Sequence, residues 1–303
     1  MQDTMQIFVG CDPNNGDLEQ MMVLDYSLRK HASLPVHIQW MRLTRDSASP
    51  WYCDPAAGRG WRTETWSTPF SALRWSLPAC VGYRGRALYM DADMLVLDDL
   101  AGLWTMPLHD KAVMAARHNG SHNGSHDGAP TGRPDWLYCV TLWDCARARR
   151  HLPALDDMRK DPQAHRRLKK YFSRRPELIQ AVDPRYNCID GENRAVDEIG
   201  ILHYSDMSTQ FSHRYAMARR QAEGGEHWYD GPVRAHPRAD LAALFDRYFQ
   251  EALDAGHRPD DYRAPAFGPL PKASQQDYPG NVRRVRQGWT RRLFASAGLF
   301  KRA

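Results

Sequence analysis

The chain has 303 residues, of which 42% are hydrophobic and 25% are charged, with a formal net charge of +5. This composition is ordinary for a soluble globular protein, and the length suits one large α/β domain with a smaller appendage. Seven basic and no acidic residues lie within residues 278–303, so the rest of the chain is close to neutral. A neutral body argues against a nucleic-acid enzyme, whose basic residues would follow a phosphate backbone across the fold.

The N-terminal residues lack the basic and apolar regions of a secretory signal, and no window is apolar enough for a membrane span. We therefore expect a cytoplasmic protein. The cysteines are scattered without Cys-x-x-Cys spacing, which argues against structural zinc and against a disulfide framework. We expect reduced, mostly buried thiols at Cys11, Cys53, Cys80, Cys139, Cys145 and Cys188.

The first elements predict a parallel sheet. Residues 6–10 form an apolar strand, residues 18–31 have the apolar spacing of a helix, and residues 36–41 alternate like a second strand. Ligands of such sheets bind beyond the carboxyl ends of the strands, so the polar loop 12–17 is a candidate nucleotide site. An ordinary solvated turn is the alternative. The chain has neither the Gly-rich dinucleotide motif nor a P-loop.

Two segments separate these strands from the next one. Residues 42–67 form a long polar stretch whose tryptophans either pack the loop onto the body or stack on sugars. Residues 69–81 repeat apolar side chains every three to four positions, which predicts a helix with Arg74 on its flank.

Residues 86–97 form an apolar run that is interrupted by Asp91 and Asp93. A charged side chain inside a buried strand costs several kcal/mol unless its charge is compensated. In an extended chain both carboxylates project to the same side, so they can converge on one hard cation with Ala92 between them. The alternative is a strand end at which both carboxylates are simply hydrated.

These residues, in this order, resemble a known family. They look like the retaining glycosyltransferases of the glycogenin and bacterial lipopolysaccharide galactosyltransferase family, family 8. The resemblance is carried by the segment 68–78, the strand of Asp91 and Asp93, Leu103 with Trp104, the Tyr186-Asn187 pair and residues 201–204. The resemblance covers about residues 5–210. It implies an α/β fold of GT-A type, with a mostly parallel central sheet flanked by helices and, here, a helical basic C-terminal tail.

The resemblance also implies a function and a site. The function is metal-dependent transfer of a sugar from a nucleotide-diphosphate sugar, with a UDP-sugar as the expected donor, to a glycan or lipid-linked glycan. The configuration at the anomeric carbon is retained. Mn²⁺ or Mg²⁺ would be held by Asp91, Asp93 and His203; without its carboxylate partners, His203 reads as a buried core histidine. The residues expected at the nucleotide sugar are Gly10, Cys11, Asp12, Arg74, Asp91, Ala92 and Asp93.

The chain departs from the family at three places. The family's Phe-Asn-[Ser/Ala]-Gly segment, which contacts the transferred sugar, falls near residues 136–142, where its Asn and Gly are absent. The Asp-Gln pair that usually follows is not recognisable, and Thr209 replaces the usual Lys, a role for which Arg214 is the nearest substitute. The donor sugar and the catalytic residue therefore stay open.

Two other classes of protein remain as alternatives. A haloacid-dehalogenase-like phosphatase also uses an apolar strand followed by Asp-x-Asp, but its motif usually lies near the start of the domain. A non-catalytic carbohydrate-binding or partner-binding protein on a GT-A scaffold would account for the missing sugar-contact residues.

The remaining segments concern domain organisation. Residues 118–126 form a small His-containing tandem repeat. Its Asn-Gly pairs favour turns, so we predict a loop there rather than a second metal site. Mixed-charge helices are predicted at residues 161–173 and 241–255. We divide the chain into a catalytic domain, 1–235, and a helical C-terminal extension, 236–303. The tail 282–300 combines an apolar stripe with basic residues, so it either lies on an anionic membrane surface at the inner face of the membrane or packs on protein.

Overall fold

The structure is a computed structural model that describes residues 4–117, 136–210, 212–225, 227–229, 231 and 233–270. The strands are β1 Met5–Gly10, β2 Val36–Met41, β3 Cys53–Asp54, β4 Arg59–Gly60, β5 Arg86–Asp91, β6 Met94–Val96, β7 Val113–Arg117, β8 Trp136–Asp144, β9 Ile179–Val182, β10 Cys188–Ile189 and β11 Ile201–His203. The α-helices are α1 Leu18–His31, α2 Leu77–Cys80, α3 Ala101–Thr105, α4 Cys145–Ala148, α5 Leu155–Lys160, α6 Ala164–Ser173, α7 Ser212–Ala222 and α8 Ala239–Asp254.

The central sheet of the described residues has six strands in the order β2-β1-β5-β8-β7-β9. Strand β8 runs antiparallel to β5 and to β7, and the other neighbours pair in parallel. The mostly parallel sheet predicted from the sequence is therefore confirmed. Gly10 lies opposite Asp91 in the pairing of β1 with β5, so both strands end at the same edge.

A second sheet of the described residues joins distant parts of the chain in the order β10-β11-β6. Strand β6 pairs antiparallel with β11, which sets His203 opposite Met94. The backbone N–H of Tyr204 also donates to the carbonyl of Asp93 at 3.0 Å. Because Met94 directly follows Asp93, this pairing brings a late segment of the chain to the edge at which β5 ends.

The apolar run 86–97 is two strands rather than the single strand that its composition predicts. Strand β5 ends at Asp91, the chain bends at Ala92 and Asp93, and β6 continues in the other sheet. Both strands are buried, which explains the continuous apolar sequence.

The helix predicted at residues 69–81 is shorter in the structure. It consists of a 3₁₀-helix, Leu73–Ser76, followed by α2. The Ser71 hydroxyl accepts the backbone N–H of Thr68 at 2.9 Å, a local bond that competes with regular helix, and Pro78 stands at the start of α2.

Helices α1 and α8 pack on one face of the sheet in a shared core. Buried side chains of both helices, Leu18 and Met22 in α1 and Leu244 and Phe245 in α8, belong to that core. The predicted helices at 18–31, 161–173 and 241–255 correspond to α1, α6 and α8. The division of the chain at residues 235 and 236 stays a prediction, and the His-containing repeat and the basic tail lie outside the described residues.

Three tryptophans of the loop 42–67, Trp51, Trp61 and Trp66, are buried, as the packing interpretation predicts. All six cysteines are free thiols, and all except Cys80 are buried. Within the ranges that the structure describes, no helix has the length and apolar character needed to cross a bilayer.

Candidate metal and nucleotide site

Asp91 and Asp93 lie at the carboxyl edge of the central sheet. Asp91 is the last residue of β5 and Asp93 follows in the bend before β6. The side chain of Asp91 retains 10% of its exposure and that of Asp93 retains 16%. The two carboxylates are therefore largely removed from water and depend on protein partners or a cation for compensation.

Asp91 is held by a largely buried arginine and a tyrosine. Arg74 Nη2 donates to Asp91 Oδ1 at 3.0 Å and to Oδ2 at 3.3 Å, and the Tyr89 hydroxyl donates to Oδ1 at 2.5 Å. Arg74 Nη1 also donates to the Tyr138 carbonyl at 2.9 Å. Burial raises the pKa of Asp91 above its usual value, and the charge of Arg74 opposes that rise.

Asp93 has different partners. Gln210 Nε2 donates to Asp93 Oδ2 at 2.7 Å, and His203 Nε2 lies 3.3 Å from Asp93 Oδ1. Burial acts to raise the pKa of Asp93, but the charge of His203 and the hydrogen bond from Gln210 outweigh it and lower that pKa. Burial acts to lower the pKa of His203, but the neighbouring Cys139 and Asp93 side chains raise it well above its usual value. The structure thus brings all three predicted metal ligands, Asp91, Asp93 and His203, to one place.

A thiol also faces this place. One ligand atom each from Asp91, Cys139 and His203 lies within 4.8 Å of the others, and all three residues are buried. Cys139 belongs to β8, which pairs with β5 beside Asp91. The structure therefore joins donor atoms from three separate strands, β5, β8 and β11.

The donor atoms fit a divalent cation. In the part of the chain that the structure describes, Asp93 Oδ1 and His203 Nδ1 are buried without a hydrogen-bond partner. Asp91 Oδ2 accepts a single longer bond, which leaves it a lone pair for a ligand. Carboxylate and imidazole donors of this kind suit Mn²⁺ and related cations.

Three of the predicted nucleotide contacts surround the end of β1. The Gly10 carbonyl accepts the backbone N–H of Ala92 at 3.2 Å, so that N–H already has a protein partner. Arg42 Nε lies 3.3 Å from the Cys11 sulfur, and burial raises the pKa of Cys11 to about 12. Asp12 Oδ2 accepts the backbone N–H groups of Asn14 and Gly16, at 3.0 and 2.7 Å, which folds the loop 12–17 around its own carboxylate.

The loop 12–17 is covered by later parts of the chain. Trp228 Nε1 donates to Asp17 Oδ1 at 3.1 Å, and the backbone N–H of Phe267 donates to the Pro13 carbonyl at 3.2 Å. Asp12 and Asp17 are each 2% exposed, and burial raises the pKa of both. The solvated turn considered from the sequence is wrong, because this loop is buried. A ligand reaches Asp12 only if these covering residues move.

The sequence did not reveal three of the residues that hold the site: Tyr89, Cys139 and Gln210. Tyr89 precedes Asp91 by two positions in a strand, which places both on one face, so strand periodicity could have identified it. Cys139 lies in the segment 136–142 that the resemblance relates to sugar contact. Gln210 had no signal, because only the fold brings it to Asp93. Arg214, the substitute considered for the missing Lys, instead bonds Asp246 at 2.6 Å on an exposed helix face.

Comparison with solved structures identifies the fold. The galactosyltransferase LgtC, in complex with donor and acceptor sugar analogues, matches with a TM-score of 0.50 and 14% identity over 86% of this chain and 99% of that one. An active-site variant of LgtC matches with a TM-score of 0.51, the same identity and the same coverage. The bifunctional glycosyltransferase WbbM matches with a TM-score of 0.49 and 12% identity over 84% of this chain, which spans half the length of WbbM.

The two LgtC structures define the class of fold. The chain has an α/β fold of GT-A type, as the resemblance implied, with sequence identities low enough that the likeness concerns the fold alone. No family model matches the sequence, and no curated protein matches it either.

Proposed function

We propose that the protein is a metal-dependent glycosyltransferase. It moves a sugar from a nucleotide-diphosphate sugar, with UDP-sugar as the first donor to test, to a glycan or lipid-linked glycan acceptor, with retention at the anomeric carbon. Mn²⁺ or Mg²⁺ is the proposed cation. We propose a cytoplasmic location and, if the acceptor is lipid-linked, attachment at the inner face of the membrane.

The convergence of Asp91, Asp93 and His203 at the carboxyl edge of a GT-A type sheet supports this function most strongly. Two carboxylates and an imidazole arrive there from β5, the following bend and β11. Buried carboxylates are costly for the fold, so their grouping at a ligand-binding edge favours a site over chance.

A divalent cation held by Asp91, Asp93 and His203 would supply positive charge to the departing nucleoside diphosphate. The side chains around the carboxylates keep them oriented. Arg74 and Tyr89 fix Asp91, and Gln210, itself fully buried, fixes Asp93 at 2.7 Å. Such outer partners commonly govern the affinity of a metal site, so Gln210 and Tyr89 are proposed as positioning residues.

A specific observation favours a second candidate, a non-catalytic binding protein on the same scaffold. Asp91 is already paired with Arg74, and the loop that would contact the nucleotide is covered. Both features would need to change for turnover but not for binding at another surface. The phosphatase alternative is weakened, because its nucleophile would be Asp91, whose Oδ1 accepts bonds from both Arg74 and Tyr89.

A thermal-shift panel of nucleoside diphosphates and nucleotide sugars, with and without Mn²⁺, tests the proposal. A ligand at about one hundred times its dissociation constant stabilises the protein by roughly 2.7 kcal/mol, so a nucleotide-specific, Mn²⁺-dependent rise in Tm is expected. Asp93→Asn should abolish that rise, and the exposed Asp197→Asn should retain it. If no nucleotide or nucleotide sugar raised the Tm of the wild type, the proposal would be contradicted.

A further inference from the structure

Cys139 presents a thiol to the proposed metal site. Its sulfur, an Asp91 oxygen and a His203 nitrogen lie within 4.8 Å of one another, and Cys139 is 8% exposed. The sulfur also contacts the side-chain amide of Asn187, with Nδ2 at 3.3 Å and Oδ1 at 3.4 Å. A thiol forms only weak hydrogen bonds with a neutral amide, so this pairing holds the sulfur without consuming its capacity as a ligand.

A second observation points to a ligand at the same place. His203 is 8% exposed, and its Nδ1 has no hydrogen-bond partner within the described ranges of the chain. Asp93 Oδ1, 3.3 Å from the other ring nitrogen, is likewise buried without a hydrogen-bond partner there. Buried polar atoms without partners are rare in native proteins, and a bound ion is one of the standard reasons for them.

We propose that the Cys139 thiolate is a ligand of the cation, beside Asp91 and His203. On binding, the thiol proton leaves to water and the sulfur–metal bond takes its place, with no change of oxidation state. A thiolate favours borderline and soft divalent cations, so the site takes Zn²⁺, Co²⁺ and Cd²⁺ through sulfur in addition to hard cations through Asp91 and Asp93. This inference rests on the metal site of the proposed function and not on sugar transfer.

The charges agree with such a donor set. The bonds from Arg74 to Asp91 partly offset the negative charge that this carboxylate brings to a cation. A thiolate adds a second negative charge from the opposite strand, β8, while His203 contributes a neutral nitrogen. Mixed sulfur, nitrogen and oxygen sets with few ligands are typical of zinc and cobalt rather than of manganese.

Titration of the full chain with Co²⁺, without any nucleotide sugar, tests the assignment. A cobalt–thiolate bond gives a charge-transfer band in the near ultraviolet. We expect this band in the wild type and in Cys145→Ser, a control in which another buried cysteine, at the start of α4, is replaced. We expect it to be lost in Cys139→Ser. A wild type without the band, or an unchanged band in Cys139→Ser, would overturn the proposal.

Affinity gives a second readout. Loss of a metal ligand should weaken Zn²⁺ binding at least as much as loss of an outer partner does, about 10–100-fold. The affinity of Cys139→Ser for Mn²⁺ should fall by a much smaller factor. Equal losses for both cations would mean that the thiol supports the fold of the site rather than binding the metal.

A third measurement needs no variant, so it remains decisive if Cys139→Ser fails to fold. X-ray absorption at the zinc edge of the loaded wild type should show a sulfur neighbour at about 2.3 Å, whereas nitrogen and oxygen ligands lie at about 2.0–2.2 Å. A shell of only nitrogen and oxygen would refute the sulfur ligand. None of these readouts requires turnover, so absent sugar transfer with an intact sulfur signal would contradict the proposed function alone.

Discussion

Asp91 and Asp93 are two positions apart, yet the fold gives them opposite environments. Asp91 is paired with Arg74, and its pKa is raised by burial, whereas Asp93 faces His203 and Gln210, and its pKa is lowered. The sequence could indicate both carboxylates because a charge inside an apolar strand is conspicuous. It could not indicate Gln210, which reaches Asp93 only through the pairing of β6 with β11.

Arg74→Ala should lower the free energy of unfolding, in addition to any effect on the affinity for a donor. The Arg74 and Asp91 side chains are 11% and 10% exposed, and removing one partner of a buried ion pair typically costs about 3–5 kcal/mol, because the other charge is left uncompensated. Arg214→Ala is the matched control, since its pair with Asp246 is 53% and 41% exposed and such pairs contribute about 0–1 kcal/mol. Denaturant unfolding of both variants measures the difference.

The Asp91→Asn background sharpens this prediction. With the carboxylate already neutral, adding Arg74→Ala should cost clearly less than it does in the wild type. Equal costs in the two backgrounds would mean that Arg74 stabilises the protein through its bonds to the Ser71 and Tyr138 carbonyls instead.

At the scale of elements, the site depends on where strands stop. Strands β1 and β5 end side by side at Gly10 and Asp91, and β11 adds His203 from the second sheet. Periodicity predicted α1, β1 and β2 closely because their apolar spacing is regular. It overextended the helix at 69–81, where Ser71 and Pro78 supply competing local structure that an apolar count does not register.

Gly10→Ala should disturb the site through a steric contact. A Cβ at Gly10 would meet the Tyr89 hydroxyl and lie 3.0 Å from Phe70 Cδ2, so Tyr89 must move from Asp91. We expect a loss of about 1–3 kcal/mol and weaker Mn²⁺ binding. Gly102→Ala, in α3, is the control. A Cβ at Gly102 would meet only the Tyr186 hydroxyl, at an ordinary van der Waals distance of 3.6 Å. Equal Tm and Mn²⁺ affinity for the two variants would contradict the close packing at Gly10.

Asp17 should make stability depend on pH. Burial raises its pKa to about 7, so the folded protein binds a proton more tightly than the unfolded chain does. The corresponding stability is fully present below the unfolded pKa near 4 and is lost as the pH rises towards 7. Asp17→Asn should reduce this slope by up to about 1.4 kcal/mol per pH unit. Urea unfolding from pH 4 to 8 measures it; the exposed Asp197→Asn should keep the wild-type slope, and an unchanged slope in Asp17→Asn would refute the assignment.

For the whole molecule, the sequence predicted the class of fold but not the surroundings of the loop 12–17. The class of fold could be predicted from the order of the elements, because the residues of each element favour it locally. Residues 227–229 and 264–268 cover the loop 12–17 from more than two hundred positions away, and no periodic pattern encodes such a contact. The thiol of Cys139 was overlooked for a similar reason, since cysteine spacing along the chain says nothing of spacing in the fold.

The basic tail carries a prediction that stands on sequence alone. Each basic residue near an anionic surface adds about 1 kcal/mol of attraction, so the full chain should sediment with anionic liposomes more than with neutral ones. A chain ending at Asp277 should remain in the supernatant in both cases. Equal recovery of the two chains in the supernatant would exclude a membrane role for the tail.

The most direct test of the proposed function is the release of nucleoside diphosphate from nucleotide sugars by the full chain in Mn²⁺, with glycan acceptors present. Wild type and Asp197→Asn should turn over the same donor at similar rates. Asp93→Asn should be slower by about 100-fold or more, since charge stabilisation by a bound cation is worth several kcal/mol in the transition state. Undiminished turnover in Asp93→Asn, or none in the wild type with any donor, would contradict the assignment.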